Sequence, residues 1–184
     1  NGTKLALVRY PHGGTFEIPI LTVNNRNKEG EKVIGPSSID AVGITSEVAA
    51  RLSGADFDGD TVMCIPTNDP EGKINILSTA PLAGLKGFDP KDKFQGTLVK
   101  TVGDTKIYER NGVKFKGMRA TQKEMGVATN LISDMTILGA SNDELERAVK
   151  YSMVVIDAEK HGLDYKAAYY EYNIQDLKDR YQIK

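Results

Sequence analysis

Apolar and polar positions follow two different rhythms along the chain. Up to Gly117 the apolar positions come as short β-branched runs broken by Gly, Pro and Asn clusters, the pattern of strands joined by turns. Strands are expected at Lys4 to Arg9, Thr15 to Val23, Lys32 to Ile39 and Thr61 to Pro66, with Asn24 to Gly30 as a polar hairpin tip. One short helix, Thr45 to Ser53, interrupts them. Val48, Ala49 and Leu52 share a face there, and Gly54 is placed to stop it. Between residues 67 and 117 further strand-like pieces fall at Ile74 to Leu77, Thr97 to Val102 and Lys106 to Glu109. Asn111-Gly112 between alternating segments marks a two-residue turn, because both central positions need positive φ, and so predicts a hairpin over Lys106 to Lys116.

After Gly117 the period becomes helical. Met125, Ala128, Leu131, Ile132, Met135 and Leu138 recur at three- and four-residue steps, and Thr121 stands three residues before Glu124 in capping-box spacing. Ser141 and Glu144 repeat that spacing ahead of a second helix running through Leu145, Ala148, Val149, Ser152, Ile156 and Glu159 to a stop at Gly162. A third helix is expected from Asp164 to Tyr172. There is no internal repeat and no low-complexity segment. The expected organisation is α+β, with a β domain over 1–117 and an α-helical unit over 118–184.

Composition excludes more than it assigns. With 40% hydrophobic and 27% charged residues, neither a disordered nor a fibrous chain is in question. Lys and Arg number 24 against 25 Asp and Glu, so there is no global basic excess to announce a nucleic-acid partner. Any such contact must come from other domains of a larger enzyme or from local stretches such as Lys114, Lys116, Arg119 and Lys123, which by themselves read first as a solvated basic face. Cys64 is the only cysteine, which excludes an intramolecular disulfide and any multi-cysteine zinc site and fits a reducing compartment. No apolar run approaches the ~20 residues of a membrane span, so no membrane partner is expected. The opening Asn1-Gly2-Thr3-Lys4 has neither signal-peptide character nor an initiator Met, and reads as an excised domain, a processed product or part of a longer polypeptide.

The chemistry concentrates in Asp56-Phe57-Asp58-Gly59-Asp60. Three carboxylates at alternate positions raise one another's pKa and destabilise the fold unless something neutralises them. A hard divalent cation does so, and oxygen-only ligation with room for water and phosphate oxygens suits Mg²⁺, with Mn²⁺ able to replace it. Gly59 supplies the turn, and Phe57 would anchor the loop to the core. An Asp-rich surface turn is the bland alternative. Such turns rarely hold a Phe or run straight into an apolar strand like Thr61-Val62-Met63-Cys64-Ile65. An EF-hand would need Gly at the sixth position and Glu at the twelfth, and Thr61 and Thr67 stand there.

Ala55-Asp56-Phe57-Asp58-Gly59-Asp60 resembles the magnesium motif of the two-barrel RNA polymerases. That superfamily includes the largest subunit of cellular multisubunit polymerases, the RNA-dependent polymerases of RNA silencing and single-chain phage enzymes. The resemblance implies a double-psi β-barrel with an appended α-helical unit, and metal-ligand and catalytic roles for Asp56, Asp58 and Asp60. Upstream, Arg9-Tyr10-Pro11-His12 followed by Phe16-Glu17 is similar to the family's Arg-x-Pro segment, which implies a place for Arg9 near the ribose or primer end. An Arg capping a barrel strand through an ion pair is the competing reading. Downstream, Met125 to Asn130 and Val155 to Gly162 resemble the helical region of the silencing-type enzymes, where an Asp-x-x-Lys-x-Gly signature occurs. Asp157, Lys160 and Gly162 occupy those positions, with His161 where that group has Thr, and the match implies substrate binding by Lys160. Ordinary helix capping explains the same residues.

The resemblance covers residues 5 to 66 and 117 to 165; the stretch from about 67 to 117 matches nothing in the family and reads as an insertion, which favours a phage or mobile-element enzyme. Implied partners are nucleoside triphosphates, a DNA or RNA template, an RNA product, and a second barrel carrying phosphate-binding lysines on the same longer chain or another subunit. The implied location is cytoplasmic, in a bacterial host if phage-encoded, or with the virion. Two other classes stay open, a non-catalytic nucleic-acid-binding or assembly module and a metal-stabilised structural domain.

Overall fold

A computed structural model of the chain describes residues 1–10, 12–52, 55, 59–67 and 79–183. They form two compact units, Asn1–Pro81 and Leu82–Lys184. The protein is α+β: among the described residues there are seven α-helices and two three-stranded antiparallel sheets.

In the first unit β1 (Lys4–Val8) lies between β2 (Ile20–Thr22) and β3 (Met63–Thr67), antiparallel to both. As the middle strand it is buried at three consecutive positions, Ala6, Leu7 and Val8, so both of its faces are covered. The described strands make an open sheet rather than a closed barrel. Phe16, Ala49 and Leu52 add to the unit's small core, Phe16 and Leu52 contributing about 1.5–3 kcal/mol each.

Two expectations for this unit are corrected. The segment from Thr15 opens as a 3₁₀ turn, Thr15–Glu17, and only Ile20–Thr22 pairs as a strand. The turn drops Phe16 into the core, and Pro19 has no N–H to give to a ladder. The expected strand from Lys32 to Ile39 is replaced by α1 (Lys28–Ile34), and the expected hairpin tip contains its start. Asn27 accepts the N–H groups of Glu29 and Gly30 at 3.0 and 3.1 Å, and Glu29 and Glu31 complement the N-terminal end of the dipole. No residue of α1 is buried, and Val33 is 86% exposed. The helix expected over Thr45 to Ser53 is α2 (Ser46–Arg51), with Thr45 as its N-cap and Leu52 as its C-cap. Gly54 and the strand expected at Ile74 to Leu77 lie outside the described residues.

The second unit opens with a 3₁₀ turn, Ala83–Leu85, and α3 (Pro90–Phe94), followed by the meander β4 (Thr97–Val102), β5 (Thr105–Arg110) and β6 (Val113–Lys116). The β5–β6 turn has φ of 52° at Asn111 and 77° at Gly112, as the hairpin required. Helices α4 (Thr121–Ile137) and α5 (Asn142–His161) pack on each other, and α4 buries Ala128, Leu131, Ile132 and Met135 while α5 buries Leu145, Ala148, Val149, Tyr151, Val154, Val155 and Ala158. The third expected helix is α6 (Tyr165–Glu171), capped by Asp164, whose carboxylate accepts the Ala167 N–H at 3.0 Å.

Ser141 and Glu144 form the expected capping box at the head of α5. Thr121 and Glu124 do not form theirs, because both are engaged with α5: the Thr121 hydroxyl donates to Glu159 at 2.8 Å, and Glu124 accepts from the Tyr151 hydroxyl at 3.4 Å. Ala120 is the N-cap of α4 and gives it no side-chain bond. A further helix, α7 (Ile174–Tyr181), was not expected. It buries Ile174 and Leu177 and sends Arg180 and Tyr181 to Glu144, where the tyrosine hydroxyl donates at 2.9 Å.

The sheet belongs with the helices, so the border drawn at residue 117 falls inside the second unit. Tyr108 of β5 explains the attachment. Its ring stacks on Phe115 with centroids 5.7 Å apart, and side chains added at Gly96, Gly117 or Gly162 would strike the ring or its stem, at 2.3 Å in the last case. The Gly96 N–H also donates to the Gly162 carbonyl at 3.0 Å, and the Asp164 N–H to the Phe94 carbonyl at 2.8 Å.

Candidate metal centre

The acidic loop runs from the end of α2 to the start of β3. Asp56, Phe57 and Asp58 lie outside the described residues; Ala55, Gly59 and Asp60 are described. At the upstream end Leu52 is fully buried, and its carbonyl accepts the Ala55 N–H at 3.2 Å. Arg51 fixes the same end. Its Nε donates to the Phe16 carbonyl at 2.9 Å and its Nη2 to the Thr79 carbonyl, and burial lowers its pKa. Nothing in the sequence around Arg51 distinguishes an arginine held to backbone carbonyls from a solvated one.

At the downstream end Gly59 has φ of +112°, a backbone setting that L side chains rarely adopt. Among the described residues a Cβ there would meet nothing within 4 Å, so the demand they show is conformational.

Asp60 meets Arg9. The antiparallel register pairs Val8 with Met63, so the residue leaving β1 comes beside the residues entering β3. Arg9 Nε and Nη2 both lie 2.7 Å from Asp60 Oδ1, and the two side chains are 20% and 15% exposed. Charge-assisted bonds of this length are the strong class of protein hydrogen bond. Arg9 and Asp60, 51 residues apart in sequence, are therefore brought together.

No group of three or more Asp, Glu, His or Cys side chains converges among the described residues, and Asp56 and Asp58 are not among them. The donor set nonetheless fits a hard divalent cation. It offers only carboxylate oxygens at alternate positions, with a glycine at the turn.

Comparison with protein-family models, curated proteins and solved structures returned no match.

The helical signature belongs to the second unit. Asp157 and Lys160 lie on the last turns of α5, and Lys160 is exposed with no ion-pair partner among the described residues. Gly162 is accounted for without any ligand. It ends α5 in the left-handed region at φ 64°, its N–H donates to the Ala158 carbonyl, and the Tyr108 ring fills the space a Cβ would need. No helix is long and apolar enough to cross a membrane among the described residues.

Proposed function

We propose that the chain is the catalytic-barrel portion of an RNA polymerase, holding Mg²⁺ for template-directed nucleotidyl transfer to an RNA 3′ end. The observation that supports it best is the Arg9–Asp60 pair, because it joins the two upstream parts of the sequence signature. In this reading Asp56, Asp58 and Asp60 hold the ion, with Mn²⁺ as an acceptable substitute. When bound, it would offset the charge developing on the attacking and leaving oxygens as the 3′ hydroxyl displaces pyrophosphate. Arg9 orients the Asp60 carboxylate, and Gly59 supplies a positive-φ bend immediately before it. The protein contributes position and field, with no covalent intermediate.

The double-psi β-barrel is part of the same proposal, as is a second barrel whose lysines bind the triphosphate of the incoming nucleotide. Lys160 has a place in it as a contact to substrate or product. The test is a Mn²⁺ titration of wild type and Asp58→Ala, followed by the electron paramagnetic resonance of free Mn²⁺. Wild type should bind weakly and the variant at least about tenfold more weakly, the loss expected from deleting one carboxylate near a divalent ion. Equal binding removes the metal, and with it the polymerase reading.

A further inference from the structure

Two adjoining clefts mark the second unit, of about 420 and 280 Å³, and they meet at Arg119 and Ala120, which line both. The larger lies between the start of α4 and the last turns of α5, and Arg119, Lys123 and Lys160 line it. The smaller lies between the end of β6 and the start of α6, with Lys116 and Lys166 on its walls beside the Tyr165 ring. Three helices, one strand and the connection between β6 and α4 thus send five cations to one track. The single carboxylate in the lining is Glu159, which accepts from the Thr121 hydroxyl.

Charge on this track is uncompensated. Lys116, Lys123, Lys160 and Lys166 have no acidic partner among the described residues. Arg119 faces Asp104 at 3.7 Å, but the two are 61% and 90% exposed, so solvent screens the pair almost entirely. Segregation of this kind stands out in a chain whose cations and acids nearly balance, 24 against 25. A row of unpaired cations along a concave surface is the complement of a regularly spaced polyanion. Tyr165 lines the smaller cleft among them, and an aromatic side chain is a group on which a base can stack only when unpaired.

We infer that this track, Lys116–Arg119–Lys123–Lys160–Lys166, binds the phosphodiester backbone of single-stranded RNA. The cations and clefts argue for a phosphodiester backbone and Tyr165 for a single strand; that the strand is RNA rests on the polymerase reading. The start of α4, which no side chain caps, adds N–H groups to the same cleft but does not carry the case.

The test is fluorescence anisotropy of a labelled single-stranded RNA of mixed sequence, titrated with the full chain in EDTA so that the acidic loop contributes no metal-bridged contact. The triple variant Lys123→Gln/Lys160→Gln/Lys166→Gln is compared with Arg26→Gln/Lys28→Gln/Lys32→Gln, an equal charge change in the first unit. The track variant should bind at least about tenfold more weakly in low salt, and its log affinity against log salt should flatten by about 2, at about 0.7 per lost phosphate contact. The control should change affinity by less than about threefold, as loss of a general field alone would. Equal losses in both variants, or none in the track variant, overturn the assignment. So does tighter binding of polyglutamate than of RNA, which would make the track a dock for an acidic protein, or tighter binding of the matching single-stranded DNA, which would assign the strand differently. Mn²⁺ binding separates this inference from the metal site: the track variant should keep it, and Asp58→Ala should lose it while retaining RNA.

Discussion

Replacing Gly162 with alanine tests how the second unit is joined. Position 162 has φ of +64°, and holding an L-residue in the left-handed region costs about 1–2 kcal/mol. The new Cβ would also stand 2.3 Å from Tyr108 Cε1, well inside contact, and Tyr108 is only 8% exposed with Phe115 stacked against it. Forcing a methyl group into so closed a site adds about 1–3 kcal/mol. Gly162→Ala should therefore lose about 2–5 kcal/mol, a large share of the 5–15 kcal/mol typical of a domain. Urea unfolding followed by far-ultraviolet circular dichroism gives the loss as a fall in midpoint at constant slope. A double-mutant cycle with Tyr108→Ala separates the two causes, since removing the ring abolishes the clash but leaves the backbone cost. The double variant should be less destabilised than the sum of the singles. A loss below about 1 kcal/mol, or strict additivity, would refute the reasoning. It would also return Gly162 to a functional role beside Lys160.

Two further outcomes follow from the ion pairs. Arg9→Ala and Asp60→Ala should each cost about 1.5–3 kcal/mol, the range for a hydrogen bond to a charged partner, and the double variant should cost little more than either single; additive losses in thermal melts would show that the pair does not exist in solution. Hydrogen bonds from the Ser141 backbone first, then from Arg180, the Ser141 hydroxyl and Tyr181, hold the Glu144 carboxyl down from its ordinary 4.5 to about 2. A carboxyl with a depressed pKa stabilises the fold fully above its unfolded value, and that contribution is lost as pH falls through its folded one. The gap in melting temperature between wild type and Glu144→Gln should thus be constant above about pH 5 and close between 4.5 and 2; a gap unchanged down to pH 2 would remove the network.

What was legible in the sequence was what is decided locally. Ser141 with Glu144, Asn111-Gly112 and Gly162 act within a few residues of backbone, and each stands where its spacing required. Where the same signals misled, a neighbour in space or a competing local cap had the stronger claim. Thr121 and Glu124 have the spacing of a box but bond to α5. Asn27, read as a turn residue, caps a helix, and Val33 and Ile34 then occupy a helix that buries nothing. Helix α7 was hidden because only Ile174 and Leu177 mark its inner face, too few for a period. The change of rhythm at Gly117 marks a change of element and says nothing of packing, which Tyr108 decides by contacting glycines on three other segments. As for the candidate site, the motif named Asp60 and Arg9 separately. Their meeting depends on the β1–β3 register, a long-range pairing that neither segment encodes alone.

The tie between the last helix and the head of α5 sets how stability is shared along the chain. Glu144 is the N3 residue of the α5 capping box, yet its carboxylate also receives Arg180 and Tyr181 from α7. The first turn of a long helix ordinarily frays and exchanges its amide hydrogens with solvent by small local openings. Here the opening of that turn must also release the last turn of α7, more than thirty residues later in the chain. The two ends therefore belong to one cooperative unit, in which the last helix governs how tightly the longest described one is closed.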